Sequence, residues 1–166
     1  MPRSASQSAT YFARLKSPIG LLSVLASDQG LSEIRFANDP NTLTARREKR
    51  NEFIEVAIDQ LNDYFAGKRQ VFDVILDEGG TDFQRSVWAA LRAIPFGVTA
   101  SYGEIATVIN NPKAARAVGM ANNRNPLPII TPCHRVIGGD GSLIGFGGGL
   151  DIKRWLLEHE RKLAHE

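Results

Sequence analysis

The 166-residue sequence contains only one cysteine, Cys133. A single cysteine excludes an internal disulfide and any zinc or iron–sulfur site built from several cysteines. An unpaired thiol is typical of proteins from reducing compartments, so we expect a cytoplasmic location.

Long apolar runs are also missing, since none approaches the roughly 20 residues that a membrane span needs. Residues 1–10 have no apolar core for a signal peptide, and we expect them to be frayed. Residues 37–50 are polar and end in a charged cluster at 46–50, which predicts a solvated loop or a helix start. With 43% hydrophobic and 23% charged residues, the chain is predicted to be soluble and globular, with one ordinary domain or two small ones.

Acidic residues are absent from positions 105–139, which contain Lys113, Arg116, Arg124 and Arg135. A polyanion could dock on such a stretch, although the net charge of the whole chain is only +2. Burial or chance would also explain the lack of acids.

The first half of the chain has the pattern of a small α/β domain over residues 1–80. Short apolar runs broken by proline and glycine predict an antiparallel meander over residues 11–36. Helical spacing predicts a helix over residues 53–65 that ends near Gly67. Residues 71–76 are predicted to form a last extended segment. Nothing in this half indicates chemistry, so we interpret it as a support domain.

Residues 81–166 are predicted to form a second, mostly helical domain. Thr81 with Gln84, and Ser101 with Glu104, have the spacing of capping boxes that begin two helices. The residues expected to face inward are Phe83, Val87, Trp88 and Leu91 in the first helix and Ile105, Val108 and Ile109 in the second. Residues 113–123 predict a third helix, which gives a helix-turn-helix candidate. Many such helix pairs never touch DNA.

The third helix carries small residues around one long basic side chain, Arg116. A helix with such a low surface can approach a nucleic-acid backbone closely. The alternative is tight packing between helices, with Arg116 as an ordinary surface charge.

Cys133 lies between β-branched apolar residues and is followed by His134 and Arg135. A free thiol is only about 3% ionised at pH 7, and a neighbouring imidazole and guanidinium would raise that fraction. We expect extended backbone here, which would point Cys133 and His134 to opposite faces. The alternative is that Cys133 is a small buried hydrophobe.

A glycine-rich loop over residues 145–149 precedes the last helix. It lacks the lysine and spacing of a phosphate-binding loop, and closure of a flat pocket fits it better. Asp151 is predicted to cap the helix, with Ile152, Trp155, Leu156, His159 and Leu163 facing the core. Glu160 lies on the same helix, where most glutamates are solvated.

Six motifs occur in one order and spacing: Thr81-x-Phe83-Gln84-x-x-Val87-Trp88, Ser101-Tyr102-Gly103-Glu104, Ala115-Arg116-Ala117-Val118-Gly119, Asn125-Pro126, Pro132-Cys133-His134-Arg135-Val136 and Trp155-Leu156-Leu157-x-His159-Glu160. In the order and spacing of these motifs, the chain resembles the O6-alkylguanine-DNA alkyltransferases. The resemblance is strong over residues 71–162 and looser over residues 11–70. The resemblance implies an α/β (α+β) fold. Its N-terminal part is an antiparallel sheet with a helix, and its C-terminal part is a winged helix-turn-helix-like domain that carries the cysteine.

The resemblance also implies roles for five side chains. Cys133 is the nucleophile that takes the alkyl group from guanine O6, and His134 is its base, acting through a bridging water. Glu160 orients the imidazole, and Asn125 braces this network. Tyr102 assists nucleotide flipping and donates a proton to the leaving guanine.

The implied partner is double-stranded DNA containing O6-alkylguanine, with O4-alkylthymine as a further substrate. No cofactor and no membrane are implied, and the protein is expected to be a monomer, with cooperative assembly on DNA left open. Arg116 would fill the place vacated in the base stack. The other implied DNA contacts are Lys113, Ala115, Ala117, Gly119, Tyr102 and Arg124, and the implied substrate pocket comprises Pro132, Val136, Phe146, Gly147 and Gly148.

The sequence departs from the family at Phe146, where relatives often have tyrosine, so one hydroxyl contact to the base is missing. Besides Cys133 the chain has only His134, His159 and His165, so we predict no structural metal. Three other functions remain open on the residues alone. They are a Cys–His hydrolase or acyltransferase, a helix-turn-helix regulator or damage sensor with a structural cysteine, and a soluble domain with a buried cysteine.

Overall fold

The computed structural model describes residues 11–39, 47–143 and 145–164. The expectation for residues 1–10 lies outside the described residues, as do residues 40–46. Residues 47–50 are exposed and not helical, and Lys49 makes an antiparallel bridge with Phe12. The chain divides into two compact units, residues 1–80 and 81–166. Within the described ranges, no helix is long and apolar enough to span a bilayer.

The N-terminal unit contains the predicted antiparallel meander. Strands β1 (Tyr11–Ser17), β2 (Gly20–Ala26) and β3 (Leu31–Arg35) pair in that order. Ser17 pairs with Gly20 across a tight turn, and Gly20 has a φ of 106° that suits glycine.

Helix α1 (Glu52–Phe65) covers this sheet. The Asn51 side chain caps it by accepting a hydrogen bond from the Ile54 amide at 3.1 Å. The predicted end is confirmed, because Ala66 is the C-cap and Gly67 follows with a φ of 78°. The side chains that it buries completely recur at helical spacing: Ile54, Ala57, Leu61 and Tyr64.

The predicted extended segment at 71–76 is not a strand of the sheet. It forms one parallel bridge, between Leu76 and Leu31, and the buried Gln60 side chain binds the Asp73 backbone through both its amide atoms. The Gln60 side chain thus holds the middle of the segment, and two backbone hydrogen bonds with Leu31, from its amide to the Ile75 carbonyl and from the Asp77 amide to its carbonyl, hold the end.

The C-terminal unit begins with helix α2 (Asp82–Arg92) and contains α3 (Tyr102–Val108) and α4 (Ala115–Asn123). Both predicted capping boxes are confirmed, at Thr81 and at Ser101. Two residues of β4 (Ala100–Ser101) pair in parallel with β5 (Val136–Ile137). Helix α5 (Leu150–Ala164) completes the unit. The predicted fold class is confirmed in both units.

Three local predictions for this unit are wrong. Val108 is 62% exposed rather than inward, because α3 ends there and only Ile105 and Ala106 of that helix are buried. Asp151 lies in the first turn of α5 instead of capping it, since the helix already begins at Leu150. Helix α4 begins at Ala115, two residues later than predicted.

The buried face of α5 also differs from the predicted one. Its fully buried side chains are Lys153, Leu156 and Glu160, whereas Ile152, Trp155, His159 and Leu163 are half-buried. Hydropathy alone would not place a lysine and a glutamate on the inner face. They are there because each has a polar partner inside the unit.

Candidate active site

Cys133 lies at the start of a single 3₁₀ turn, Cys133–Arg135, that leads into β5. The expectation of extended backbone is wrong at this point. The Cys133 amide donates to the Thr131 carbonyl at 2.8 Å, and the Arg135 amide donates to the Pro132 carbonyl at 3.0 Å. Cys133 is 5% exposed and belongs to the hydrophobic core cluster of the unit, which also contains Val136 and Ala121.

Glu160 is the centre of a buried polar network. Its Oε2 lies 2.7 Å from Nε2 of His134, and its Oε1 accepts from Nε of Arg135 at 2.8 Å. Arg135 makes a second contact, from Nη2 to Oε2 at 3.1 Å, and donates from Nη1 to the Ile94 carbonyl. Glu160 is 1% exposed, so the alternative of a solvated glutamate is wrong.

Burial and the neighbouring charges determine the protonation state of Glu160 and of His134. Burial opposes the ionisation of Glu160, but hydrogen bonds from His134 and Arg135 hold its pKa below the usual range. Burial lowers the pKa of His134, against the opposing effect of Glu160. His134 is therefore neutral near pH 7 and donates from Nε2–H to the carboxylate. Its Nδ1, which is buried and has no hydrogen-bond partner, carries the lone pair.

The interpretation of Arg135 as an activator of the thiol is wrong, because its guanidinium is held by Glu160 and by the Ile94 carbonyl. Lys153 takes that place. Its side chain is fully buried, its Nζ donates to the Val136 carbonyl at 2.6 Å, and its charge acts on Cys133.

The thiol is nevertheless protonated in the resting protein. Burial raises the pKa of Cys133 to about 11, and a hydrogen bond from Asn125 and the charge of Lys153 only partly oppose that effect. The sequence did contain a signal for Lys153. It lies seven residues before Glu160, and residues at that spacing share one face of a helix.

Asn125 braces the turn before Cys133 from both sides. Its Nδ2 donates to the Thr131 carbonyl at 2.7 Å, and its Oδ1 accepts from the Leu127 amide at 2.9 Å. Inside this turn Ile129 has a φ of 76°, which is a rare conformation for a β-branched residue. Asn125 therefore stabilises a strained backbone that fixes the position of the thiol.

Tyr102 stands at the first position of α3, half-buried. Burial raises the pKa of its phenol, and a thiolate at Cys133 raises it further. Gly119 of α4 faces the Tyr102 ring, and a Cβ at that position would lie 3.8 Å from two ring carbons, in ordinary van der Waals contact.

The predicted DNA-contacting residues lie along α4 and its ends. Lys113, Arg116, Ala117 and Arg124 are exposed, whereas Ala115 and Gly119 are half-buried. The helix therefore presents Arg116 between two alanines, with the exposed Met120 one turn further along. None of these positions shows by itself that DNA binds there.

The predicted pocket residues divide into two groups. Pro132, Val136 and Gly148 are buried, and Phe146 packs against the same core cluster as Cys133. Gly147 is exposed, and no atom lies within 4 Å of the place where its Cβ would be. Phe146 is therefore the loop side chain that packs on the core of the unit, whereas Gly147 faces solvent.

A cavity of about 440 Å³ borders Glu160, with Thr99, Leu143 and Arg161 among its lining residues. Neither Cys133 nor Phe146 lines it, so it is separate from the predicted pocket. Among the described residues, no group of three or more His, Cys, Asp or Glu side chains could hold a metal ion.

The fold and this site define a protein of two compact units. The second unit contains a helix-turn-helix and a buried thiol, followed in sequence by the His134 and Arg135 side chains that bind Glu160. Residues 82–162 match the family profile "6-O-methylguanine DNA methyltransferase, DNA binding domain". Residues 10–77 match "6-O-methylguanine DNA methyltransferase, ribonuclease-like domain".

Individual relatives agree with these profiles. A methylated-DNA–protein-cysteine methyltransferase of Methanosarcina acetivorans is 49% identical over 152 residues, which cover 90% of this chain and 97% of that protein. One from Mycobacterium bovis is 46% identical over 166 residues, covering 93% and 94%. The crystal structure of Mycobacterium tuberculosis OGT in complex with DNA superposes with a TM-score of 0.83 at 49% identity, covering 92% of this chain and 93% of that one.

The chain therefore belongs to the 6-O-methylguanine DNA methyltransferase family. It is an enzyme of DNA repair, a methyltransferase whose acceptor is a protein cysteine, and Cys133 is the one cysteine that the sequence offers.

Proposed function

We propose that the protein repairs O6-alkylguanine in duplex DNA by moving the alkyl group irreversibly onto Cys133. O4-alkylthymine is proposed as a second substrate. The observation that carries this proposal is the state of His134. Its Nε2 is held by Glu160, and its buried Nδ1 is an acceptor that has no hydrogen-bond partner. His134 also follows the nucleophile, Cys133, directly in the sequence.

The chemistry follows from the protonation states. The Cys133 thiol is neutral at rest, so its proton has to leave during the attack. His134 Nδ1 accepts that proton through a bridging water, and Glu160 stabilises the imidazolium that forms. The sulfur attacks the alkyl carbon, the bond from carbon to O6 breaks, and its electron pair stays on the guanine. Tyr102 donates a proton to the leaving base.

The target base has to leave the stack before the sulfur can reach it. Flipping costs a few kcal/mol, which contacts to the vacated space and to phosphates can offset. Arg116 is exposed on α4 between small residues, and it is proposed to fill the vacated space from the minor groove. Lys113 and Arg124 lie exposed at the two ends of the helix and are proposed to contact phosphates.

The reaction inactivates the protein permanently. A thioether at Cys133 has no leaving group that water can displace readily, so each chain repairs one lesion. We also propose that it acts as a monomer in the cytoplasm. All the reacting side chains belong to one unit of one chain, and a reducing environment preserves the thiol.

The test is stoichiometric transfer from a duplex containing O6-methylguanine. Mass spectrometry should find one added methyl group on the peptide that carries Cys133, and none after incubation with unmodified duplex. The variant Cys133→Ser should bind the same DNA and transfer nothing. Removal of the methyl group by Cys133→Ser at the wild-type rate would contradict the mechanism, and turnover of an activated ester would favour a hydrolase instead.

A further inference from the structure

Met120 is a long apolar side chain that α4 turns towards solvent. It is 59% exposed, although the same helix buries Val118, Ala121 and Asn122 on its other face. An apolar side chain of this length gains free energy only when it leaves water for another apolar surface. Met120 is therefore suited to a contact that forms when a partner covers the outer face of α4.

The charges around Met120 indicate which partner that is. Met120 follows Arg116 by four residues, so the two side chains share one face of the helix and are about 6 Å apart along its axis. Lys113 and Arg124 are exposed at the two ends of the same helix. An apolar side chain in the middle of a basic surface fits a polyanion that also offers apolar contacts, which is what a nucleic acid does.

The dimensions of DNA give Met120 a task. The minor groove of B-DNA is about 6 Å wide, whereas an α-helix with its side chains is about 10 Å across. A helix that places Arg116 in this groove therefore has to widen it. The sugar rings that form the groove walls are largely apolar, and proteins that open the minor groove commonly insert apolar side chains, methionine among them. The flexible thioether of methionine adapts to an irregular surface.

We propose that Met120 is an apolar wedge, which packs against the sugar rings of the minor groove and holds the groove open beside Arg116. This inference rests on the part of the proposed function that places α4 in the minor groove. It gives Met120 no part in the transfer of the alkyl group.

The first measurement is affinity for a duplex that contains O6-methylguanine, in the full chain with Cys133→Ser so that no transfer occurs. Adding Met120→Ala should weaken binding about 10-fold, the order expected from the burial of one such side chain. Met120→Leu keeps an apolar side chain of similar size and should restore most of the affinity. The matched control is Val98→Ala, at an exposed apolar residue of the same unit outside the helix pair, and it should leave the affinity unchanged.

Salt distinguishes a wedge from a phosphate contact. Met120 carries no charge, so Met120→Ala should leave the dependence of log Kd on log salt concentration as it is in the parent protein. Lys113→Ala removes a proposed phosphate contact and should lower that slope by about 0.9. A lowered slope in Met120→Ala would overturn the inference, because the substitution would then have displaced phosphate contacts.

Nuclear magnetic resonance tests the contact directly. The sequence has one other methionine, Met1, so carbon-13 in the methionine methyl groups labels two positions, and Met120→Leu identifies the Met120 signal by its loss. In the complex this methyl group should show nuclear Overhauser contacts to sugar protons of the duplex. Their absence would overturn the inference. A Met120 signal that moves with protein concentration in the absence of DNA would assign the side chain to a contact between copies, and would overturn it as well.

The inference and the proposed reaction fail separately. Equal affinities of the parent protein and Met120→Ala, together with normal methyl transfer by the wild type, would overturn the inference alone. A wild-type protein that transfers no methyl group to Cys133 would overturn the proposed reaction, while weaker binding by Met120→Ala would still support the wedge.

Discussion

Replacing Glu160 with glutamine should destabilise the protein far more than the loss of one surface charge would. The carboxylate accepts from Nε2 of His134, from two nitrogens of Arg135 and from the Gly97 amide, at 2.7 to 3.3 Å. Glutamine keeps one acceptor oxygen and turns an NH₂ group toward donors. It also leaves the guanidinium of Arg135, which is 5% exposed, without a counter-charge.

The expected loss in the free energy of unfolding is about 3–5 kcal/mol, the usual effect of breaking a buried ion pair from one side. Typical domains are stable by about 5–15 kcal/mol, so the variant should fold but unfold at much lower urea. The matched control is Glu158→Gln, two residues earlier on the same helix and exposed. It removes the same charge and should change stability by no more than about 0.5 kcal/mol.

The pH dependence gives a second measurement on the same pair. The pKa of Glu160 is lower in the folded state than in the unfolded state, where it is about 4.3. Its contribution is therefore fully present above that unfolded value and is lost as the pH falls towards the folded value. The stability difference between wild type and Glu160→Gln should narrow below about pH 4. Equal urea midpoints for Glu160→Gln and Glu158→Gln would refute the role given to this network. A stability difference between wild type and Glu160→Gln that does not narrow in acid would refute it as well.

Three further predictions use other parts of the C-terminal unit. Lys153→Met removes the cation near Cys133, so the thiol should react with iodoacetamide only at higher pH than in wild type. Arg154→Met, on the exposed side of the helix, should leave the pH dependence of that reaction unchanged. An unchanged pH dependence in Lys153→Met would contradict the role of Lys153 as the cation that acts on Cys133. Arg116→Ala should slow transfer from duplex DNA at least about tenfold, but it should not slow transfer from the free alkylated base, since only the duplex has to be opened. Equal slowing of both reactions would show that Arg116 does not act by filling the vacated space in the duplex. Thr81→Ala removes the side chain that caps α2 and should lower the free energy of unfolding by about 1 kcal/mol in urea titrations, and no change would contradict the capping box.

The parts of the fold that were predicted correctly depend on local sequence. The capping boxes at Thr81 and Ser101 need only residues within three positions, and the meander follows from turn residues and alternating apolar runs. Lys153 was left out, and Glu160 was expected next to His134 only through the family resemblance, because a charged residue is buried only when a distant partner meets it. Val136 and His134 supply those partners from another part of the chain.

The conformation of Ile129 was unpredictable for a related reason. A positive φ favours glycine or asparagine, and nothing in the residue type indicates it. It is imposed by Asn125, which holds the backbone on both sides of the strained position. The extended backbone expected at Cys133 was wrong because this turn and the 3₁₀ turn after it override the β preference of the flanking apolar residues.

The structure also changes the physical account of the nucleophile. A cysteine activated in advance by adjacent cations would be a thiolate at rest, and it would be open to oxidation and to unrelated electrophiles. Here burial holds the pKa of Cys133 at about 11, and Arg135 is committed to Glu160. In the proposed mechanism, the reactive thiolate therefore forms only while His134 takes the proton, when the alkylated base is already in place. Under the proposed single-turnover reaction, a thiol that is protonated at rest keeps the molecule unreacted until it meets a lesion.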